Sequence, residues 1–182
     1  MQIIVRVTWT PEQYLISQKQ SSMMRPHRCP NCSARKSLRA LGYYERGLSG
    51  ANGKDLRLLV RRFRCGACKR TVSLLPDFAQ PYRFVRSRTI ERYFNGDVEA
   101  DEVRRTTGLL RCYWRKFTTW LPKLKRVIGV HLGLSPPASQ PRRWWGFLMD
   151  TRGNLASATR RLVEEVRVTV FGLYQCHQPR PS

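Results

Sequence analysis

The chain has 182 residues, enough for one compact domain or two small ones, and 41% of them are apolar, enough for a modest core. It carries 34 Lys and Arg against 12 Asp and Glu, a net charge of +22; self-repulsion on that scale favours a polyanionic partner, with nucleic acid the default. The sequence has no apolar run of about 18 residues, no secretory pattern and no lipidation motif, which excludes a membrane partner and points to a reduced cytoplasmic compartment, nucleoid-associated where the polyanion is DNA.

Residues 1–26 read as a lead-in. Ile3, Val5, Val7 and Trp9 alternate with Ile4, Arg6 and Thr8 as in an edge strand, Pro11 ends the pattern, and residues 17–27 have the composition of a flexible linker. Residues 27–82 hold the strongest signal. Cys29-Pro30-Asn31-Cys32 and Cys65-Gly66-Ala67-Cys68 are two C-x-x-C turns separated by 32 residues. Each turn aims two thiolates inward, and four sulfurs at roughly 2.3 Å complete a tetrahedral zinc site, the pattern of a zinc ribbon. Cys29, Cys32, Cys65 and Cys68 are therefore expected to hold one structural Zn2+. A shell of four thiolates leaves no open position for a water nucleophile, and it leaves His27 outside.

Between the turns, Leu38, Leu41, Tyr43 and Tyr44 precede a Gly/Asn-rich turn at 49–55, after which Leu56, Leu58, Val60 and Phe63 interleave with Arg57, Arg61, Arg62 and Arg64. That pattern predicts a hairpin with one face packed and the other wet and positive, too small to fold without its metal. Residues 69–76 predict a third strand, and residues 77–82 a proline-bounded connector.

From residue 83 to 132 the apolar period lengthens towards four. Val85, Thr89, Ile90, Tyr93 and Phe94 predict a first helix stopped by Asn95-Gly96. Asp97 caps a second, with Val98, Ala100 and Val103 on its apolar side and Glu99, Asp101 and Glu102 near its start. A third, from Leu109 or Leu110 to Pro122, carries Tyr113, Trp114, Phe117, Trp120 and Leu121. Three helices with a glycine at the tight turn predict a helix-turn-helix unit. Residues 109–130 contain six cations and no acid, so the third helix has one aromatic face for the bundle and one basic face for a groove. Arg111, Arg115 and Lys116 are the candidate DNA contacts there, with Arg57, Arg61, Arg62 and Arg64 gripping the backbone from the ribbon. A solvated basic helix with the same aromatic core is the plainer alternative.

Residues 133–143 read as a Pro-rich linker, Trp144 to Met149 as an apolar knot, and Leu155, Ala158, Leu162, Val166 and Val170 as one amphipathic helix starting near Asn154. The segment 144–182, with its tryptophans exposed, either packs back on the helices or forms a homodimer contact. Cys112 and Cys176 have no evident partners. The predicted class is α+β: a small zinc ribbon, a three-helix unit and a short C-terminal helix.

Cys29-Pro-Asn-Cys32, Leu41-Gly-Tyr-Tyr-Glu-Arg46, Val60-Arg-Arg-Phe-Arg-Cys65-Gly-Ala-Cys68-Lys-Arg-Thr71, Leu74-Leu-Pro-Asp-Phe78 and Pro81-Tyr82 together resemble a bacterial family of uncharacterised domains, similar to the zinc-ribbon and helix-turn-helix front halves of insertion-sequence transposases. The resemblance runs over residues 27–125 and implies binding of double-stranded DNA, at the ends of a mobile element. The chain departs from that family in two places. Ser33 stands where such knuckles carry a left-handed glycine. After the third helix only Asp150, Glu164 and Glu165 are acidic, which is too few for a two-metal catalytic core. The expected function is thus a non-enzymatic, zinc-dependent DNA-binding protein, transposase-related or transposition-accessory. A transcriptional regulator of the same fold or a truncated transposase remnant is the alternative, followed by a ribosome- or RNA-associated zinc ribbon. A minimal nuclease lacks its carboxylates, and a redox role for the C-x-x-C pairs would be masked by zinc.

Overall fold

Strand-forming residues from the start and middle of the chain meet in one sheet, and the helical remainder packs beside it. The structure is a computed structural model, and it describes residues 1–50, 54–97, 104–133 and 140–174. The sheet is formed by β1 (Gln2–Val5), β2 (Leu38–Ser49), β3 (Asp55–Cys65) and β4 (Thr71–Pro76) in the order β1-β4-β3-β2. β2, β3 and β4 are antiparallel neighbours, while β1 runs parallel to β4, with Ile3 opposite Leu74. The expected edge strand is therefore real, and it extends the predicted three-stranded unit to four. Residues 51–53 of the predicted hairpin turn lie outside the described residues.

The hairpin does not have one dry and one wet face. The register between β2 and β3 shifts between Ala40 and Gly42, leaving Leu41 over as a bulge with Gly42 at φ +104°. Leu58 and Val60 are buried on one face of β3, Phe63 and Cys65 on the other, because even and odd positions of a strand point to opposite sides. The second face is covered by a short helix, α1 (Pro11–Ile16), and the turns after it. Pro11 therefore opens a helix, with Thr10 and Gln13 forming its capping box. Tyr14, fully buried, donates from its hydroxyl to the Leu59 carbonyl at 3.0 Å. Residues 17–24, expected to be a linker, are tied down instead: Met23 is buried, and Arg61 donates to the carbonyls of Ser21 and Met23.

The helical half contains α2 (Ser87–Asn95), α3 (Thr107–Leu132), α4 (Pro141–Arg152), α5 (Leu155–Val166) and a small hairpin of β5 (Val168–Thr169) and β6 (Gly172–Leu173). α2 stops where Asn95-Gly96 predicts, with Gly96 at φ +87° and its N–H donating to the Tyr93 carbonyl at 3.2 Å. Of the predicted second helix, residues 98–103 lie outside the described residues, and 104–106 form a turn into α3.

α3 does not end at Pro122; it runs 26 residues, about 39 Å. Pro122 sits on its exposed side, where water can serve the Thr118 carbonyl that the missing N–H leaves free.

Pro141 is not linker but the first residue of α4, a position that needs no N–H. The C-terminal segment also departs from expectation. Trp144 and Trp145 are 0% and 3% exposed, packed with Phe94, Phe117, Leu121, Leu124 and Phe171, so the segment packs back on the helices. Phe94 is central, with edge-on contacts to Trp114 and Trp145 at 4.8 Å each, and the Trp145 indole N–H donates to Asn95 Oδ1 at 2.7 Å. The amphipathic pattern is broken after Val166 by Arg167 in a left-handed conformation, so Val170 belongs to the hairpin, not to a helix. Of the C-terminal tail, residues 175–182, with Cys176 and His177, lie outside the described residues.

Gln80 joins the two halves. Its side chain is buried, donating to Ser87 Oγ at 2.9 Å and accepting from Thr159 Oγ1 at 2.8 Å, while its carbonyl accepts from Arg46 of β2. Arg46 also donates to the Arg83 carbonyl at 2.6 Å. Gln80→Ala is expected to destabilise the protein by about 2–4 kcal/mol, because it strips the Thr159 hydroxyl of its buried acceptor and opens a void. Urea denaturation checks this; a midpoint equal to the parent's would contradict it.

Candidate metal centre and basic surface

The two knuckles are copies of one local structure, 36 residues apart. In the first, Cys29 N–H donates to the Ala34 carbonyl at 3.0 Å, and Arg28 pairs with Arg35. In the second, Cys65 N–H donates to the Arg70 carbonyl at 2.9 Å, and Arg64 pairs with Thr71. The fifth residue of each loop is left-handed, Ser33 at φ +59° and Lys69 at φ +58°. The position where Ser33 replaces the customary glycine is thus left-handed in both knuckles, and neither residue is a glycine.

The four sulfurs converge within 4.8 Å of one another, and this is the group of potential metal ligands found among the described residues; His27 is not part of it. Cys29 Sγ lies 3.7 Å from Cys68 Sγ, and Cys32 Sγ lies 3.7 Å from Cys65 Sγ. Sulfurs placed tetrahedrally at about 2.3 Å from a metal would stand about 3.8 Å apart, so the donor set fits a bound ion. Burial pushes the Cys29 thiol up to about 11, whereas a hydrogen bond from Ser37 Oγ, at 3.1 Å, holds Cys65 down to about 6. Ligation needs every thiol deprotonated, so metal affinity falls as the pH falls.

The candidate contacts with nucleic acid divide into two groups. On β3, Arg61 is committed to backbone carbonyls, Arg62 lies over the Tyr44 ring at 5.6 Å and Arg57 pairs with Glu45 at 3.4 Å; Arg64 is exposed with no acidic partner among the described residues. On α3, Leu110, Phe117, Leu121, Leu124 and Ile128 face the core, and Arg111, Arg115, Lys116, Lys123 and Arg126 are exposed. Lys125, the sixth cation, lies over the Trp144 ring at 5.0 Å. Arg115, Lys116 and Lys123 line a groove of about 470 Å3 with Arg83, which is itself stacked on Tyr113 and Phe171. Arg111 lies at a separate aromatic cleft with Tyr93, Trp114 and Arg142. Sequence reasoning passed over Arg83, because it lies outside the helical pattern.

Residues 29–111 match the model of a domain of unknown function (DUF6431), fewer than half of the 182 residues. The match begins on the first metal-binding cysteine and ends in the first turns of α3, so the chain is similar to that family over the knuckles, the sheet from β2 onward and α2. No curated protein and no solved structure matches the chain. Among the described residues, no helix is long and apolar enough to cross a membrane.

Proposed function

We propose that this is a zinc-dependent protein that binds double-stranded DNA, related to transposases or accessory to transposition, with α3 as the helix that enters the major groove. The observation that carries this reading is the exposed side of α3. Five cations, Arg111, Arg115, Lys116, Lys123 and Arg126, lie along it, and no acid occurs anywhere in the helix. Its opposite side is fixed in the core by Tyr113, Phe117 and Leu121. A rigid helix, anchored along one side and cationic along the other, suits a duplex groove. Zinc is the metal because four thiolates at tetrahedral spacing suit it, and its role there is structural. The helix-turn-helix reading takes α2 and α3 as its first and third helices.

Binding should be steeply salt-dependent, each phosphate contact adding about 0.9 to the slope of log affinity against log salt. Arg115→Ala, measured against a panel of duplexes at fixed salt, should relax sequence preference as well as weaken binding. A variant that discriminates among the duplexes as the parent does would remove Arg115 from the groove.

A further inference from the structure

The knuckle end of the sheet carries a second cationic surface, made largely of residues that charge patterning along β3 did not single out. A groove of about 640 Å3 beside Cys65 is lined by Lys36, Arg39, Leu41, Arg64, Gly66 and Lys69 among others, with no acid in its wall. All four cations are exposed, and none has an ion-pair partner among the described residues. Residues 13–44 and 56–76 contain no Asp or Glu at all.

The placement of these cations is unfavourable in the free protein. Arg39 and Arg64 are direct cross-strand partners in the β2–β3 register, and like charges directly opposite each other destabilise a sheet. Arg28 and Arg35 repeat the arrangement across the first knuckle. Lys36 and Lys69 are both held left-handed, at φ +52° and +58°, a conformation that disfavours any residue with a Cβ. A bound anion between the opposed guanidinium groups would reverse the sign of the Arg39–Arg64 interaction.

We propose that this groove grips the phosphodiester backbone of the duplex bound by α3, through Lys36, Arg39, Arg64 and Lys69. The inference rests on the duplex-binding reading above. Besides its four cations the wall is Ser37, Ala40, Leu41, Cys65, Gly66 and Ala67; with the cations on phosphates, contacts that position a duplex without reading it, the grip is independent of sequence. Four cations spread over two turns and two strands match a chain of repeating anions. Because both knuckles are closed by the same four sulfurs, the grip depends on the metal.

The test uses the full zinc-loaded chain carrying Arg39→Gln and Arg64→Gln together, titrated with salt against two unrelated duplexes. The salt slope should fall by about 2 and affinity at 0.1 M salt by about 60-fold, equally on both duplexes. Thermal stability of the free variant at low salt should be unchanged or higher, since a like-charge pair has been removed. A slope like the parent's, with Arg115→Glu/Lys123→Glu still abolishing binding, overturns the groove and leaves the α3 reading standing. A variant that loses several degrees of stability shows that the arginines serve the fold, which also overturns it. Loss confined to single-stranded RNA, with duplex binding intact, assigns the surface to RNA instead. If the parent binds no duplex, both readings fall together. Lys36→Gln/Lys69→Gln provides a second variant with the same expectation for slope.

Discussion

Cys65→Ala is expected to abolish stoichiometric metal binding and to release both knuckles from their native structure. Cys65 is fully buried at the end of β3, opposite Leu38, where its sulfur meets Cys32 Sγ and accepts from Ser37 Oγ and, at 3.5 Å, from the Cys68 N–H. Removing it leaves three sulfurs that cannot close a tetrahedral shell. Left-handed Ser33 and Lys69 are then held by little besides their own turns, and the apparent contribution of a structural zinc, about 10 kcal/mol or more in small peptides, is largely lost. The damage should be local. β1, β4 and the middle of β3 are also held by Tyr14, Leu58, Val60, Leu74 and Leu75, which share a core with Cys29 and Cys65 but are not themselves metal ligands. Hydrogen exchange should therefore speed up at the amides of Cys29, Ser33, Gly66 and residue 65, all bonded inside the knuckles, while those of β4 and of α4 keep their protection. One tightly bound zinc per variant chain, with protected knuckle amides, would exclude the cluster as the metal centre.

The second large effect is expected from Arg115→Glu/Lys123→Glu on α3. Both side chains are exposed and line one groove with Arg83 and Lys116, so reversing them costs the fold little beyond the contact of Lys123 over the Trp120 ring at 5.9 Å. Loss of two phosphate contacts alone would weaken duplex binding about 60-fold at 0.1 M salt, and the two introduced carboxylates repel the backbone further. Circular dichroism and thermal stability should match the parent. If duplex affinity survives within a few-fold, α3 is a solvated basic helix and the charge acts elsewhere.

What sequence made legible, and what it did not, follows from the range of each signal. The cysteine spacing, the Gly96 stop and the helix start near Asn154 are local chemistry, and all three stand in the structure. Pro122 misleads because a helix can continue through a proline on its solvent side, where water serves the freed carbonyl and the backbone can bend away from the ring. Trp144 and Trp145 read as exposed because their partners, Asn95 on α2 and Lys125 on α3, are distant in sequence. The same holds for the arginines. Alternation along β3 gives Arg57, Arg61, Arg62 and Arg64 equal standing, but a one-residue bulge and the chain segment at 21–23 turn Arg61 into a structural clamp. The groove cations Arg39 and Lys69 come together only once strand register and knuckle closure are fixed.

The most direct test of a metal-organised duplex reader is selection from a randomised duplex pool at moderate salt, with the zinc-loaded protein and after chelation. An enriched motif whose recovery falls sharply on chelation is the predicted result, since the knuckles would lose their form and one arm of the grip with it, while α3 still reads the sequence. Equal recovery of all sequences, unchanged by the chelator, would mean that net charge alone holds the DNA and would contradict both the role of α3 and that of the metal.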